Sequence, residues 1–252
     1  MALKSLGVIP ARYASSRFPG KPLVMIGGKS MIMRVYEQAL KSEMLNKVII
    51  ATDDERIFNH VHECGGEVTM TSGMHDSGTS RIGEVVDKLS ISGECPFDVI
   101  VNIQGDEPFI DPKQIDLALS LFNNVEVQIG TLISKITNNP DIFNPNVVKV
   151  VINQSGKANY FSRSPIPYLR GIQEDEWLAH NIYYRHIGLY AYRASVLRGI
   201  LNLSSSPYES AESLEQLRWL YHGYTINTAI TDIETVGVDS PEDLLKLTNN
   251  IY

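Results

Sequence analysis

The sequence predicts a mixed α/β fold, with a mostly parallel sheet and a β-rich insertion in the second half. Two observations carry that prediction. Up to about residue 125, short apolar runs alternate with segments of helical period, the pattern that buries a parallel sheet between helices. Beyond that point strands follow strands, with hairpin punctuation such as QSGK at 154–157. No repeat, low-complexity run or linker interrupts the chain. The expectation is one domain over 1–252, with functional parts of roughly 1–125 and 126–252.

The elements follow in order. SLGVIPA (5–11) is an apolar strand, and SMIMRVYEQALKSE (30–43) has helical spacing, with Ser30 placed to cap it. KVIIAT (47–52) is a strand, and DERIFNHVHECGG (54–66) is a helix stopped by two glycines. EVTMT (67–71) is a strand and SRIGEVVDKLS (80–90) a helix. DVIVNIQ (98–104) is an apolar strand running into GDEP, and DPKQIDLALSLFNN (111–124) opens a helix on proline. In the second half VQIGTLISKI, NVVKVVIN, KANYFSRS, RHIGLYAYR and YTINTAIT read as strands. SAESLEQLRWLYHG (210–223) and SPEDLLKLTNNI (240–251) read as helices. Long loops remain near 71–80 and 163–182, and such lengths tend to carry function.

Charge and composition narrow the function. The net charge of −7 opposes general binding to nucleic acid or an anionic membrane, since both need summed positive charge. Cys64 and Cys95 form no CxxC or Cys/His cluster, so they read as reduced, buried thiols of a cytosolic protein. The N-terminus reads as a first strand rather than a signal peptide, and no run approaches the ~20 apolar residues of a membrane span. A cytoplasmic protein is the expectation.

Against that acidic background, IPARYASSRFPGKPL (9–23) packs Arg12, Arg17 and Lys21 into one turn-rich loop after the first strand. In open α/β sheets ligands bind beyond the carboxyl ends of the strands. Three cations there can converge on phosphate oxygens, although a solvated surface loop has the same composition. No GxGxxG follows the strand, and GGKS at 27–30 lacks the first glycine of a phosphate-binding P-loop, because position 23 is leucine. NIQGDEP places Asp106 at the same sheet edge, where a carboxylate can hold Mg2+ against phosphates; a plain turn is the alternative. Asp239 of GVDSPEDL is not needed for the helix cap that Ser240 and Asp243 provide, which leaves it as a second metal-ligand candidate. HDSGTSR (75–81) is a polar loop able to read a base or ribose, or simply to cap a helix. In the second half Arg163, His186, Tyr190, Glu215 and Gln216 are polar groups among apolar neighbours.

Taken together, IPARYASSRFPGKPL, ATDDERI, HDSGTSR, VNIQGDEP, FNPNVVKVV, YFSRSPIPY, RHIGLYAYR, SLEQLRWL and GVDSPEDL resemble the 3-deoxy-manno-octulosonate cytidylyltransferase family, in the family's order and over nearly the whole chain. The resemblance implies a Rossmann-like nucleotidyltransferase fold, a homodimer and Mg2+ as cofactor. The implied reaction joins CTP and a 2-keto-3-deoxy sugar acid, giving CMP-KDO and pyrophosphate for lipopolysaccharide synthesis. It assigns Arg12, Arg17 and Lys21 to the triphosphate, with Lys21, Arg12 and Asp106 catalytic. Ser77, Thr79 and Arg81 fall near the cytidine, and Asp106 and Asp239 on the metal. Gln104, Arg163, His186, Tyr190, Glu215 and Gln216 shape the sugar-acid pocket. An amino-substituted octulosonate or a nonulosonic acid is the alternative acceptor. Ser16 stands where the pattern expects threonine, and RGIQEDEWLAHN (170–181) matches no part of it.

Overall fold

The computed structural model describes residues 3–14, 18–93, 97–234, 237–238 and 240–249, the last four as backbone only. Arg17, Ser16, Cys95 and Asp239 lie outside the described residues. The chain forms two compact units, Met1–Asp116 with Thr235–Tyr252, and Leu117–Glu234.

The first unit is the alternating half. Its elements are β1 (Ser5–Ala11), β2 (Met25–Ile26), β3 (Lys29–Ser30), α1 (Met31–Ala39), β4 (Lys47–Thr52), α2 (Glu55–Glu63), β5 (Val68–Met70), α3 (Gly78–Ile91) and β6 (Val99–Asn102). The helix α4 (Pro112–Ser120) follows, and the closing helix Pro241–Asn249 returns to this unit. Strands β6, β1, β4 and β5 lie side by side in that order, all parallel. Leu6, Val8 and Ile9 of β1 are fully buried, as a strand covered by helices on both faces requires. The helices pin themselves to the sheet by i, i+4 stripes, such as Ile57 and Val61 in α2. Asp54 caps α2 by accepting the Arg56 amide at 3.0 Å.

The order of the strands in the sheet places the site. The chain goes from β1 to β4 and β5 on one side, then crosses to β6 on the other. The switch point therefore lies between the carboxyl ends of β1 and β6, where an open sheet leaves a crevice.

The second unit holds β7 (Ile129–Lys135), α5 (Asn139–Phe143), β8 (Lys149–Ile152), β9 (Ala158–Ser162), α6 (Trp177–His180), β10 (Tyr184–Arg193), α7 (Ala194–Ile200), α8 (Pro207–Glu212), α9 (Gln216–Tyr221) and β11 (Ile226–Ile230). β10 pairs antiparallel with β7 and β8, β8 antiparallel with β9, and β11 parallel with β7. This is the predicted β-rich insertion.

Three expectations need correction. The helix predicted over 210–223 is two helices, because Ser213 takes a left-handed conformation (φ 52°) between them and Ser206 caps α8 through Glu209. The loop predicted over 163–182 is partly helical, and Trp177 is buried with Ile136, Ile142 and Tyr183 in a core of its own. Its ring stacks on Tyr183 at 5.9 Å, and its indole N–H donates to the Ile172 carbonyl at 3.2 Å. Cys64 is exposed rather than buried, since it caps the solvent end of α2 after Glu63. Among the described residues, no helix is long and apolar enough to cross a membrane.

Candidate active site

The loop after β1 is shaped by its own backbone. The Gly20 amide donates to the Tyr13 carbonyl at 2.9 Å, which closes the loop. Gly20 has φ 71°, and a Cβ there would stand 3.1 Å from the Tyr13 ring, so only glycine fits. The Arg56 guanidinium covers that ring at 3.2 Å from its centroid, as a cation over an aromatic face does. A 3-10 turn, Lys21–Leu23, carries Pro22 in its first turn, and the Lys21 side chain reaches back across the sheet edge to Asp106.

The loop after β6 meets it there. A Cβ on Gly105 would lie 2.8 Å from the Pro10 carbonyl oxygen, closer than side chains approach, so glycine permits the two strand ends to touch. Asp106 follows directly. Its Oδ2 accepts from Lys21 Nζ at 2.7 Å, and Lys21 Nζ also donates to the Val238 carbonyl at 2.8 Å. The lysine side chain is 14% exposed and the aspartate 31%, so the pair borders open solvent. Between the loops is a cavity of about 350 Å³, lined by Arg12, Lys21, Gln104 and Asp106 among others. Four predicted site residues thus converge at the switch point.

The HDSGTSR segment (75–81) makes the helix cap that was one of its two readings. Ser77 Oγ accepts the Ser80 amide at 3.1 Å, in a reciprocal cap at the start of α3. Thr79 is buried, and Arg81 is buried completely. Arg81 donates to Thr71 Oγ1 and, at 2.8 Å, to Asp53 Oδ2. A buried guanidinium needs such partners, and these tie the loop to the end of β4. Arg12 donates from Nη2 to the His75 carbonyl. Sequence reasoning gave no role to His75 or Glu84, although both stand in or just beyond HDSGTSR.

In the second unit His186, Tyr190 and Glu215 lie near one another, and Gln216 follows Glu215 in the chain. The His186 and Tyr190 rings are 5.1 Å apart, and Tyr190 meets Trp219 edge-on at 5.0 Å. Burial pushes the Tyr190 phenol well above its usual range, with Tyr192 and then Glu215 adding to it. Its buried hydroxyl has no hydrogen-bond partner among the described residues, a costly state unless a ligand supplies one. Burial pushes His186 down to about 3. Gln216 opens α9 and is buried. Arg163 is separate from them: its guanidinium donates to the carbonyls of Glu212 (2.7 Å), Pro145 (3.0 Å) and Ser213 (3.5 Å), holding the left-handed turn between α8 and α9.

A family model described as cytidylyltransferase matches residues 6–230. A 3-deoxy-manno-octulosonate cytidylyltransferase of Parabacteroides distasonis is 54% identical over 97% of this chain and 96% of its own length. The enzyme of the same name from Thermodesulfovibrio yellowstonii is 46% identical over 94% of each chain. The chain belongs to this cytidylyltransferase family. A solved structure of CMP:2-keto-3-deoxy-manno-octonic acid synthetase complexed with CTP is similar with TM-score 0.89, at 42% identity over 98% of both chains. A 4-diphosphocytidyl-2C-methyl-D-erythritol synthase shares the fold alone, with TM-score 0.65 at 13% identity. The resemblance first read from motifs is therefore borne out, as is the Rossmann-like nucleotidyltransferase fold.

Proposed function

We propose that this chain transfers CMP from CTP to the anomeric hydroxyl of 3-deoxy-D-manno-octulosonate, releasing pyrophosphate, in the cytoplasm and as a homodimer. The observation that carries the reading is the convergence of Arg12, Lys21, Gln104 and Asp106 on one cavity at the switch point of a parallel sheet, in a chain half identical to named octulosonate cytidylyltransferases.

The chemistry asks little covalent help. The sugar hydroxyl attacks the α-phosphorus as the bond to the β-phosphate oxygen breaks, so the protein's part is positioning and neutralisation of charge. Arg12 and Lys21, with Arg17, take the triphosphate. Asp106, with Asp239, suits Mg2+, an ion held by one or two carboxylates plus substrate phosphates; the half-open Asp106 carboxylate in a cavity of phosphate-binding cations fits that donor set. Mg2+ bound there supplies neutralisation of the departing pyrophosphate. The loop bearing Ser77, Thr79 and Arg81 serves the cytidine. The orphan Tyr190 hydroxyl, neutral His186, Glu215 and Gln216 serve the sugar acid, and Arg163 supports them through the turn it holds.

Pyrophosphate release from CTP and Mg2+ against a panel of sugar acids tests the proposal, the panel including an amino-substituted octulosonate and a nonulosonic acid. Release is expected with 3-deoxy-D-manno-octulosonate and CTP, with UTP poorer and ATP inert. Equal turnover with ATP, or none with the octulosonate, would overturn it.

A further inference from the structure

A guanidinium on a three-carbon stem points in a fixed direction only if something fixes its acceptor. For Arg12 that acceptor is the His75 backbone carbonyl, and His75 lies in the connection between β5 and α3. Ser72, Gly73 and Met74 just before it are exposed, Met74 to 91%. Apolar burial therefore does not hold this stretch in place. Polar bonds do, and they meet at one carboxylate in the second turn of α3.

Glu84 Oε2 accepts from the Ser72 amide at 2.8 Å and faces His75 Nε2 at 2.5 Å. Glu84 Oε1 faces Lys88 Nζ at 2.8 Å, and Lys88 Nζ donates in turn to the Met70 carbonyl at 2.6 Å, at the end of β5. A carboxylate only accepts, so Nε2 carries the proton. Burial alone would push the Glu84 carboxyl up, but Lys88, the Ser72 amide and His75 outweigh it and bring it down to about 2. Glu84 thus holds Ser72 and His75 at once, across the exposed bend.

We infer that Glu84 is a positioning residue for nucleotide binding: through His75 it fixes the backbone carbonyl that orients Arg12 in the cavity. The inference rests on the reading of Arg12 as a triphosphate ligand. A plain helix-surface role for Glu84, an i, i+4 pair with Lys88, predicts no link to Arg12.

A double-mutant cycle read by isothermal titration of the full chain with CTP separates the two. Glu84→Ala keeps helix propensity and is expected to raise the Kd for CTP roughly tenfold, as a misaimed ligand does. In an Arg12→Ala background the same change is expected to add almost nothing, because groups acting in series are not additive. His75→Asn, which keeps the carbonyl and removes the imidazole, should behave alike and guards against loss of fold in the first variant. An unchanged Kd in Glu84→Ala, or an equal loss with and without Arg12, would overturn the inference alone. A wild-type chain that fails to bind CTP would overturn both the inference and the reading beneath it.

Discussion

Replacing His186 by glutamine should change how the fold responds to acid, and the size of the change follows from its surroundings. His186 Nε2 lies 3.0 Å from Thr131 Oγ1. Thr131 is fully buried, and its one hydroxyl proton is taken by the Leu189 carbonyl at 2.8 Å. The hydroxyl can then only accept, so His186 is the neutral tautomer with its proton on Nε2. Loss of hydration brings its pKa from 6.5 down to about 3. The sign follows from linkage. Between those values the unfolded chain takes up a proton that the folded chain refuses, so stability is full above 6.5 and falls as the pH drops toward 3. From pH 7.5 to pH 5 this single group costs about 2 kcal/mol, at 1.36 kcal/mol per pH unit. That is about 4–8 °C in Tm for a chain of this length. The window stops above the range in which Glu84, brought down to about 2, begins to titrate. The assay is thermal unfolding of wild type and His186→Gln in matched buffers at both pH values. The variant, whose amide still offers Thr131 a donor, should lose about 2 kcal/mol less on acidification. Parallel losses in the two proteins would show that His186 is not held neutral, and the reasoning would fail.

Three further outcomes are expected. Lys21→Ala should lower kcat by two or more powers of ten, about 3 kcal/mol of transition-state stabilisation, while leaving the KM for the sugar acid near normal; steady-state kinetics with each substrate varied checks it. Gly105→Ala must drive a Cβ into the Pro10 carbonyl, so it should cost about 1–3 kcal/mol of stability and weaken CTP binding by shifting Asp106, as denaturant melts and titration will read. Trp177→Ala should cost about 3–5 kcal/mol in urea unfolding, since it empties the centre of the Ile136–Ile142–Tyr183 cluster.

Much of this was legible in the sequence where local pattern and global fold agree. The run SLGVIPA is apolar at both faces because helices cover the sheet, α1 and α3 both packing against β1, and NIQGDEP marks its neighbour's carboxyl end. Their convergence followed from topology alone. The 163–182 stretch was not legible, because Trp177 directly follows Glu174, Asp175 and Glu176, and its burial depends on Ile136 and Ile142, far from it in the chain. The break at Ser213 was hidden for a similar reason: the apolar spacing continues through it, while Arg163 bonds to the Glu212 and Ser213 carbonyls at the turn. Ser77 and Arg81 were visible as polar residues in a candidate binding loop. Their bonds to Ser80, Thr71 and Asp53 belong to tertiary structure, which no motif records.

The contact between Lys21 and Asp106 gives the cavity its own counterion. A phosphate that arrives alone must pull the ammonium away and then face a bare carboxylate. A free metal ion meets the same obstacle with the signs reversed. A ligand that carries both signs joined, as a chelated nucleotide does, offers each side chain a new partner in a single exchange. Under the proposed function, this self-neutralised pair would favour a chelated nucleotide over inorganic anions and stray cations before any base or sugar has been read.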